Sequence, residues 1–240
     1  MSIIGLFALL SVYVTLILSV NNIFIRLKMY NYIFIIIIYK MIINISNSIL
    51  DNFKLINHEY LVDKNYYDLK SGINEYRLYS YLTTFFDNIT ILDIGTLNGR
   101  SAIALSHNEN NKVISYDIQN HINNNNHRIY SKKNISFNIK NVLDDLNEDL
   151  IKNVKIIMID IDHYETIETI IINKLKQLNF SGLIILDDIT NHPDRLINEC
   201  MNRLWNNITD TKYDFTKYGH GSGTGIIVMN YDITFIKDDN

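Results

Sequence analysis

Apolar positions change their spacing along the chain, and each change predicts an element. Ile73, Tyr76, Leu78, Tyr79, Leu82 and Phe85/Phe86 recur at helical intervals and predict a helix over Gly72–Phe86. Short apolar runs predict strands at Ile89–Ile94, Lys112–Ile118, Asn134–Ile139, Lys155–Ile161 and Leu183–Leu186. Lys155–Ile161 is nearly all Ile and Met, as expected of a strand buried on both faces. Between these runs, helical spacing predicts helices starting at Arg100 and over Leu143–Leu150, Thr166–Leu178 and Pro193–Trp205. Lys212–Phe215 and Thr224–Met229 read as two strands whose short Gly219-His220-Gly221-Ser222-Gly223 connection forces an antiparallel pairing. Strands alternating with helices imply a parallel sheet with right-handed crossovers. The expected architecture is therefore α/β and Rossmann-like: a seven-stranded, mostly parallel sheet with an antiparallel C-terminal hairpin.

The first 50 residues follow another rule. Ser2–Val20 carries no charge and has about the 20 apolar residues that cross a bilayer, so a transmembrane helix is expected there. Arg26 and Lys28 follow, and the positive-inside tendency keeps them and the rest of the chain in the cytosol. Tyr30–Ile45, interrupted by Lys40, reads as a second span, an interfacial helix or a stalk; a start at Met29 or Met41 is the alternative. The organisation expected is a hydrophobic anchor over 1–50 and one catalytic domain over 51–240, tethered to a membrane on its cytosolic side.

Charge and cysteine content narrow the function. The net charge of −4 carries no basic stripe and argues against a nucleic-acid binder. Lys132-Lys133 and Lys152/Lys155 read as solvated surface. The lone Cys200 permits no intrachain disulfide, and beside Met201 and Trp205 it reads as helix packing.

The chemistry concentrates in Ile91-Leu92-Asp93-Ile94-Gly95-Thr96-Leu97-Asn98-Gly99-Arg100-Ser101. An apolar strand ends in an acid, a glycine turn follows, and a helix opens at its end. Glycines let backbone approach a ligand, and the helix start offers unpaired N–H groups. An acid at the strand end suits an ammonium better than a phosphate, which points to S-adenosylmethionine (SAM) over a dinucleotide. Asp117, 24 residues after Asp93, ends the next strand at the spacing of a ribose-binding acid. Asp160 and Asp162 follow the fourth strand and Asp187-Asp188 the fifth. Ligands of open α/β sheets bind outside these carboxyl ends, and acids gathered there repel one another unless a cation neutralises them.

These segments resemble the class I SAM-dependent methyltransferases over roughly Gly72–Asn230. Asp93-x-Gly95-x-x-x-Gly99 is similar to their first motif, and Leu97 in place of a middle glycine looks like the O-methyltransferase branch. Asp160-Ile161-Asp162-His163 followed by Asp187-Asp188 resembles the metal-dependent small-molecule and sugar O-methyltransferases. The resemblance implies SAM held by Asp93, Gly95, Thr96, Gly99, Ser101 and Asp117. It implies Mg²⁺ held by Asp160, Asp187 and Asp188, and a base at Asp162 or His163. The Gly219–Gly225 segment with His220 departs from the pattern; substrate contact and a plain hairpin turn both account for it. The implied activity is methyl transfer to a hydroxyl of a small molecule or sugar. A metal-independent enzyme of the same fold acting on oxygen or nitrogen, and an inactive membrane-bound scaffold, are the alternatives. Asp51–Tyr67 and the Asn191 and Gly219 loops are expected to shape the acceptor pocket without naming the acceptor.

Overall fold

The computed structural model describes residues 23–29, 32–38, 40–56, 58–61, 70–122 and 124–238. It divides into a unit ending at Ile42 and a larger one, Ile43–Asn240. In the first, β1 (Ile23–Met29) and β2 (Tyr32–Ile38) form an antiparallel hairpin, with Ile23 opposite Ile38 and Met29 opposite Tyr32. The expected span Ser2–Val20 lies outside the described residues. Tyr30–Ile45, expected as a helix or stalk, instead contains β2 and β3 (Met41–Ile45), and β3 pairs with β11 (Ile233–Lys237) at the far end of the chain. Its run of Ile and Tyr suits an extended backbone better than a helix. Alternation also fits: Ile43 and Ile45 are buried while Asn44 is exposed. Among the described residues no helix is long and apolar enough to cross a membrane.

The larger unit is built on the expected seven-stranded sheet. Its strands are β4 (Thr90–Ile94), β5 (Lys112–Asp117), β6 (Ile135–Ile139), β7 (Val154–Ile159), β8 (Gly182–Asp187), β9 (Thr211–Asp214) and β10 (Thr224–Met229). They lie in the order β6-β5-β4-β7-β8-β10-β9. The first five are parallel, and β10 runs antiparallel to both β8 and β9. Strand order reverses beside β4, where the chain returns from β6 to lay β7 on its other side; such a switch point opens a crevice at the carboxyl edge. Ile156, Ile157, Met158 and Ile159 of β7, and all of β8, are buried, as strands covered on both faces must be.

Among the described residues the unit's α-helices are α1 (Asn47–Asn52), α2 (Lys70–Thr83), α3 (Arg100–Leu105), α4 (Glu148–Ile151), α5 (Thr166–Gln177) and α6 (Arg195–Asn207). In α5, Glu168, Ile171, Ile172 and Leu175 share the buried face, at the spacing of one helical stripe. Ile171 is fully buried in the main core with Leu92, Ile157 and Ile184, so Ile171→Ala costs about 2–5 kcal/mol. Asp194 starts α6 by accepting the N–H groups of Leu196 at 2.8 Å and Ile197 at 3.1 Å, and Cys200 packs inward with Met201 and Leu204.

Two local expectations fail for physical reasons. Leu143–Leu150 is not one helix but a 3₁₀ turn at Val142–Asp144 followed by α4. Asn141 and Asn147 each accept a backbone N–H ahead of them, from Leu143 and Leu150, both at 3.0 Å. These side chains restart the helix twice over a span that apolar spacing alone would run through. Lys132 is not solvated: it is 4 % exposed, its ammonium 2.8 Å from Glu109 Oε1 and over the Tyr60 ring.

Candidate active site

The Gly95–Gly99 loop is shaped by contacts that only glycine allows. Gly95 has φ +104°, and a Cβ there would sit 1.6 Å from the Asp160 carbonyl oxygen. Gly99 has φ +77°, and a Cβ would lie 2.1 Å from Ile129 Cδ1. The loop is tied to β5 by a chain of side chains. Thr96 Oγ1 meets Ser115 Oγ at 2.5 Å, and the Ser115 hydroxyl reaches Asp93 Oδ2 at 2.5 Å. Asp93 is fully buried; desolvation raises its pKa to about 7 against the opposing hydrogen bond from Ser115. Asp117 sits across the loop mouth. Its carboxylate accepts Leu97 N–H at 2.9 Å and Gln119 N–H at 3.0 Å.

In front of this loop a cleft of about 640 Å³ opens at the carboxyl ends of β4, β5 and β7. One wall is apolar, from Ile118, Val142, Ile161 and Ile167; Asp117, Asn141, Asp160, Asp162 and His163 supply its polar groups. Among the described residues, four other than Asn and Gly have positive φ, and all four lie in loops at this sheet edge: Leu97, His163, Glu165 and Asp188. Strain of this kind persists where surrounding structure enforces it, and it clusters at working sites.

Beyond the cleft, the ends of β7, β8 and β10 carry a ring of carboxylates and imidazoles centred on Asp188. His163 Nε2 lies 3.1 Å from Asp160 Oδ1 and 3.6 Å from Asp188 Oδ2. His192 Nε2 is also 3.6 Å from Asp188 Oδ2. Its Nδ1 accepts Asp194 N–H at 3.0 Å, which leaves the ring proton on Nε2, toward Asp188. His220 Nδ1 is 3.5 Å from Asp188 Oδ1 and 3.9 Å from Asp187 Oδ1. The donor atoms of Asp187, Asp188 and His220 all lie within 4.8 Å of one another. Glu75, from α2, is 3 % exposed and interacts electrostatically with His220, Asp160 and Asp188 of the ring.

Electrostatics divide this ring. Burial lifts Glu75 to about 8, with His220 opposing and Asp160 and Asp188 adding to the rise. Burial, then the charges of Glu75, Asp160 and Asp188, push Asp187 well above the carboxylate range. Burial also penalises the Asp188 carboxylate, but the three imidazoles outweigh it and hold its pKa low. His220 is raised, first by Asp188. For His163, burial opposes the imidazolium, yet Asp160, Asp188 and Glu168 prevail and its pKa is raised. Glu168 also fixes the loop, its Oε1 accepting His163 N–H at 2.8 Å.

The sequence-derived residues divide accordingly. Of the six assigned to the cofactor, Gly95 and Asp117 line the cleft. Asp93, Thr96 and Ser101 are buried, and Asp93 supports the loop through Ser115 and Thr96. Gly99 turns the chain into α3. Asp187 and Asp188 come together, but their third neighbour in the metal-ligating group is His220, while Asp160 faces His163. Asp162 is an exposed residue of the cleft. Glu75, His192 and Glu168 were not anticipated. Glu75 left one signal, a charged residue among the buried positions of an amphipathic helix.

No family model matches the chain, and no curated protein is similar to it in sequence. Among solved structures, it is similar to a Staphylococcus aureus protein assigned as a caffeoyl-CoA O-methyltransferase (17 % identity, 64 % of this chain and 82 % of that one, TM-score 0.49). A second is the SAH-bound methyltransferase PaMTH1 of Podospora anserina (13 % identity, 75 % and 91 %, TM-score 0.49). A third is a Klebsiella pneumoniae protein assigned as an O-methyltransferase (18 % identity, 77 % and 90 %, TM-score 0.46). At these levels of similarity, function rests on the side chains of the cleft.

Proposed function

We propose that the chain is a SAM-dependent O-methyltransferase acting on a hydroxyl of a small molecule or sugar, with a divalent cation at the acidic edge. One observation carries this reading: the loop after β7 belongs to both halves of the site. Asp160, Asp162 and His163 line the nucleoside-sized cleft, and His163 also contacts Asp188.

In this reading Asp117 receives the ribose hydroxyls, and Ile118 and Val142 cover the adenine. Asp187 fits a cation because its buried Oδ1 has no hydrogen-bond partner, and Asp188 stands beside it with His220 against its Oδ1. A bound dication would lower the pKa of an acceptor hydroxyl and fix its orientation. His163 is the better-placed base, held by Asp160 beside that centre, with Asp162 farther out on the lip. Its Nε2 carries the proton that faces Asp160, so the ring takes the acceptor proton on Nδ1 as the oxygen attacks the SAM methyl and S-adenosylhomocysteine leaves. Positioning two reactants in one cleft supplies about 7–11 kcal/mol of such a barrier.

The test is calorimetry of the full-length protein with SAM and S-adenosylhomocysteine, then labelled SAM offered with catechols, sugars and lipid hydroxyls, with and without divalent cation. Binding and cation-dependent label transfer are expected. Absence of binding to either nucleoside overturns the reading. Transfer that persists in EDTA retains the methyltransferase and removes the cation.

A further inference from the structure

We infer that the cation of this site is a first-row transition-metal ion of the Mn²⁺ or Fe²⁺ class rather than Mg²⁺, because His220 supplies it with a nitrogen ligand. The inference rests on the cation-dependent reading above and adds the identity of the metal.

The donor set comes from three places in the fold. Asp187 ends β8, Asp188 follows it with φ +56°, and His220 lies four residues before β10. Because β10 runs antiparallel to β8, with Thr224 opposite Asp187, the residues just before β10 arrive at the carboxyl end of β8. The Gly-rich connection is fastened there. Ile189 N–H donates to Gly223 O at 3.2 Å, Thr190 N–H to Ser222 O at 2.9 Å, and His220 N–H to Thr224 Oγ1 at 2.9 Å. His220 is thus a fixed part of the edge.

The spacing suits coordination. Metal–ligand bonds of about 2.1 Å put neighbouring donors about 3.0–3.4 Å apart. His220 Nδ1 is already 3.5 Å from Asp188 Oδ1 and 3.9 Å from Asp187 Oδ1, and the three donors lie within 4.8 Å of one another, so side-chain movement alone closes the set. A second observation points to a ligand independently of the acidic cluster. Asp187 is 6 % exposed, and its Oδ1, the atom facing His220, has no hydrogen-bond partner. Glu75 Oε2, buried and interacting electrostatically with His220 and Asp188, has none either. A dication answers all of these carboxylates at once.

The nitrogen decides which dication. Mg²⁺ takes oxygen ligands and sheds its waters reluctantly, whereas imidazole suits Mn²⁺, Fe²⁺ and the later ions of that row increasingly well. Two further imidazoles, on His163 and His192, face Asp188 from the other side, at its Oδ2.

The test uses full-length protein stripped with EDTA and desalted, with Mn²⁺ alone as the probe. Bound Mn²⁺ should show the ¹⁴N hyperfine coupling of a coordinated imidazole in pulsed EPR. Mg²⁺ should displace it only at about a hundredfold excess or more. In His220→Asn the coupling should vanish, and the Mg²⁺ excess needed should fall at least about tenfold. His163→Ala and His192→Ala should each keep the coupling. Bound Mn²⁺ without nitrogen coupling overturns the inference, as does a coupling that survives His220→Asn or displacement by Mg²⁺ near parity. Failure of Mn²⁺ to bind overturns it too. S-adenosylhomocysteine binding to the same sample reports separately on the cofactor cleft. The wild-type spectrum and His220→Gln decide the matter if His220→Asn does not fold.

Discussion

The two halves of the working edge are made from the same parts, strand ends and tight loops, and balance their polar groups in opposite ways. On the β4–β5 side most groups satisfy one another: Asp117 takes two backbone N–H groups, and Thr96, Ser115 and Asp93 Oδ2 form a chain that leaves only Asp93 Oδ1 over. On the β8–β10 side Glu75 and Asp187 each keep a buried oxygen with no hydrogen-bond partner, and burial, then the charges of Glu75, Asp160 and Asp188, raise Asp187. The first half is assembled by its own contacts and suits a ligand that enters a finished cleft. The second is at odds with itself, a state that a positive ligand relieves.

The strongest way to break this contrast is to neutralise the second half alone. Asp187→Asn keeps the shape and removes one hard anionic ligand. Turnover should fall by about a thousandfold, the loss of several kcal/mol of metal-derived stabilisation. S-adenosylhomocysteine affinity should stay within about twofold, and the metal-stripped variant should melt above the metal-stripped wild type. A parallel loss of cofactor affinity in calorimetry would join the two halves into one and refute the contrast.

Asp93 is the exception on the quiet side, so it sharpens the comparison. Its folded pKa of about 7 stands above the ordinary 3.8, so the native state holds a proton that the unfolded chain releases. Its contribution is fully present below the unfolded value and is lost as pH rises through about 7. The change is about 4 kcal/mol across that window at 1.36 kcal/mol per unit. Asp93→Asn cannot titrate, so in urea melts it should gain on the wild type steadily from pH 4 to pH 8. A stability difference flat with pH contradicts this.

Much of this was legible in the order of elements and little of it in the side-chain partnerships. Strand order, the antiparallel end and the glycine loop follow from apolar periodicity and turn chemistry, which act locally. Met41–Ile45 and Ile233–Lys237 escaped because a two-stranded pairing across the whole chain leaves no local trace. His220 was visible but unplaced. Its meaning depends on β10 lying against β8, which brings a residue before one strand to the end of another. Asp160 matched a pattern of metal ligands, yet its Oδ1 faces His163, three residues on in the same loop, and that choice of partner depends on the loop's conformation.

A finer comparison lies within the β7 loop. His163 is held in the ring, and Asp162 is exposed on the cleft lip. If His163 takes the acceptor proton, His163→Ala should lower kcat about a hundredfold with KM for SAM little changed, and Asp162→Asn only a few fold. Because the His163 pKa is raised, the neutral form builds up only above the ordinary histidine value of 6.5. A dication bound at Asp188 offsets that rise, so the acidic limb of the kcat profile is assigned to His163 by its disappearance in His163→Ala. Equal losses in both variants, or an unchanged limb, assign the base elsewhere.

The smallest effect expected is at Asp117, and it tests whether the quiet half binds through what it already has. Its two oxygens are engaged by Leu97 and Gln119 N–H groups, so the carboxylate is pre-oriented and keeps lone pairs for two ribose hydroxyls. Asp117→Ala removes charge-assisted hydrogen bonds worth about 1.5–3 kcal/mol each. Part of that returns because water replaces the lost oxygens at an open cleft. The net loss in S-adenosylhomocysteine affinity should be about tenfold, near 1.4 kcal/mol. Asp117→Asn should recover part of it, since one oxygen remains to accept. The metal titration should be the same in both variants as in wild type, because Asp117 is on the β5 side of the edge. Unchanged affinity in Asp117→Ala would mean that the cleft does not take a ribose there, and the nucleoside reading of the β4–β5 side would fall with it.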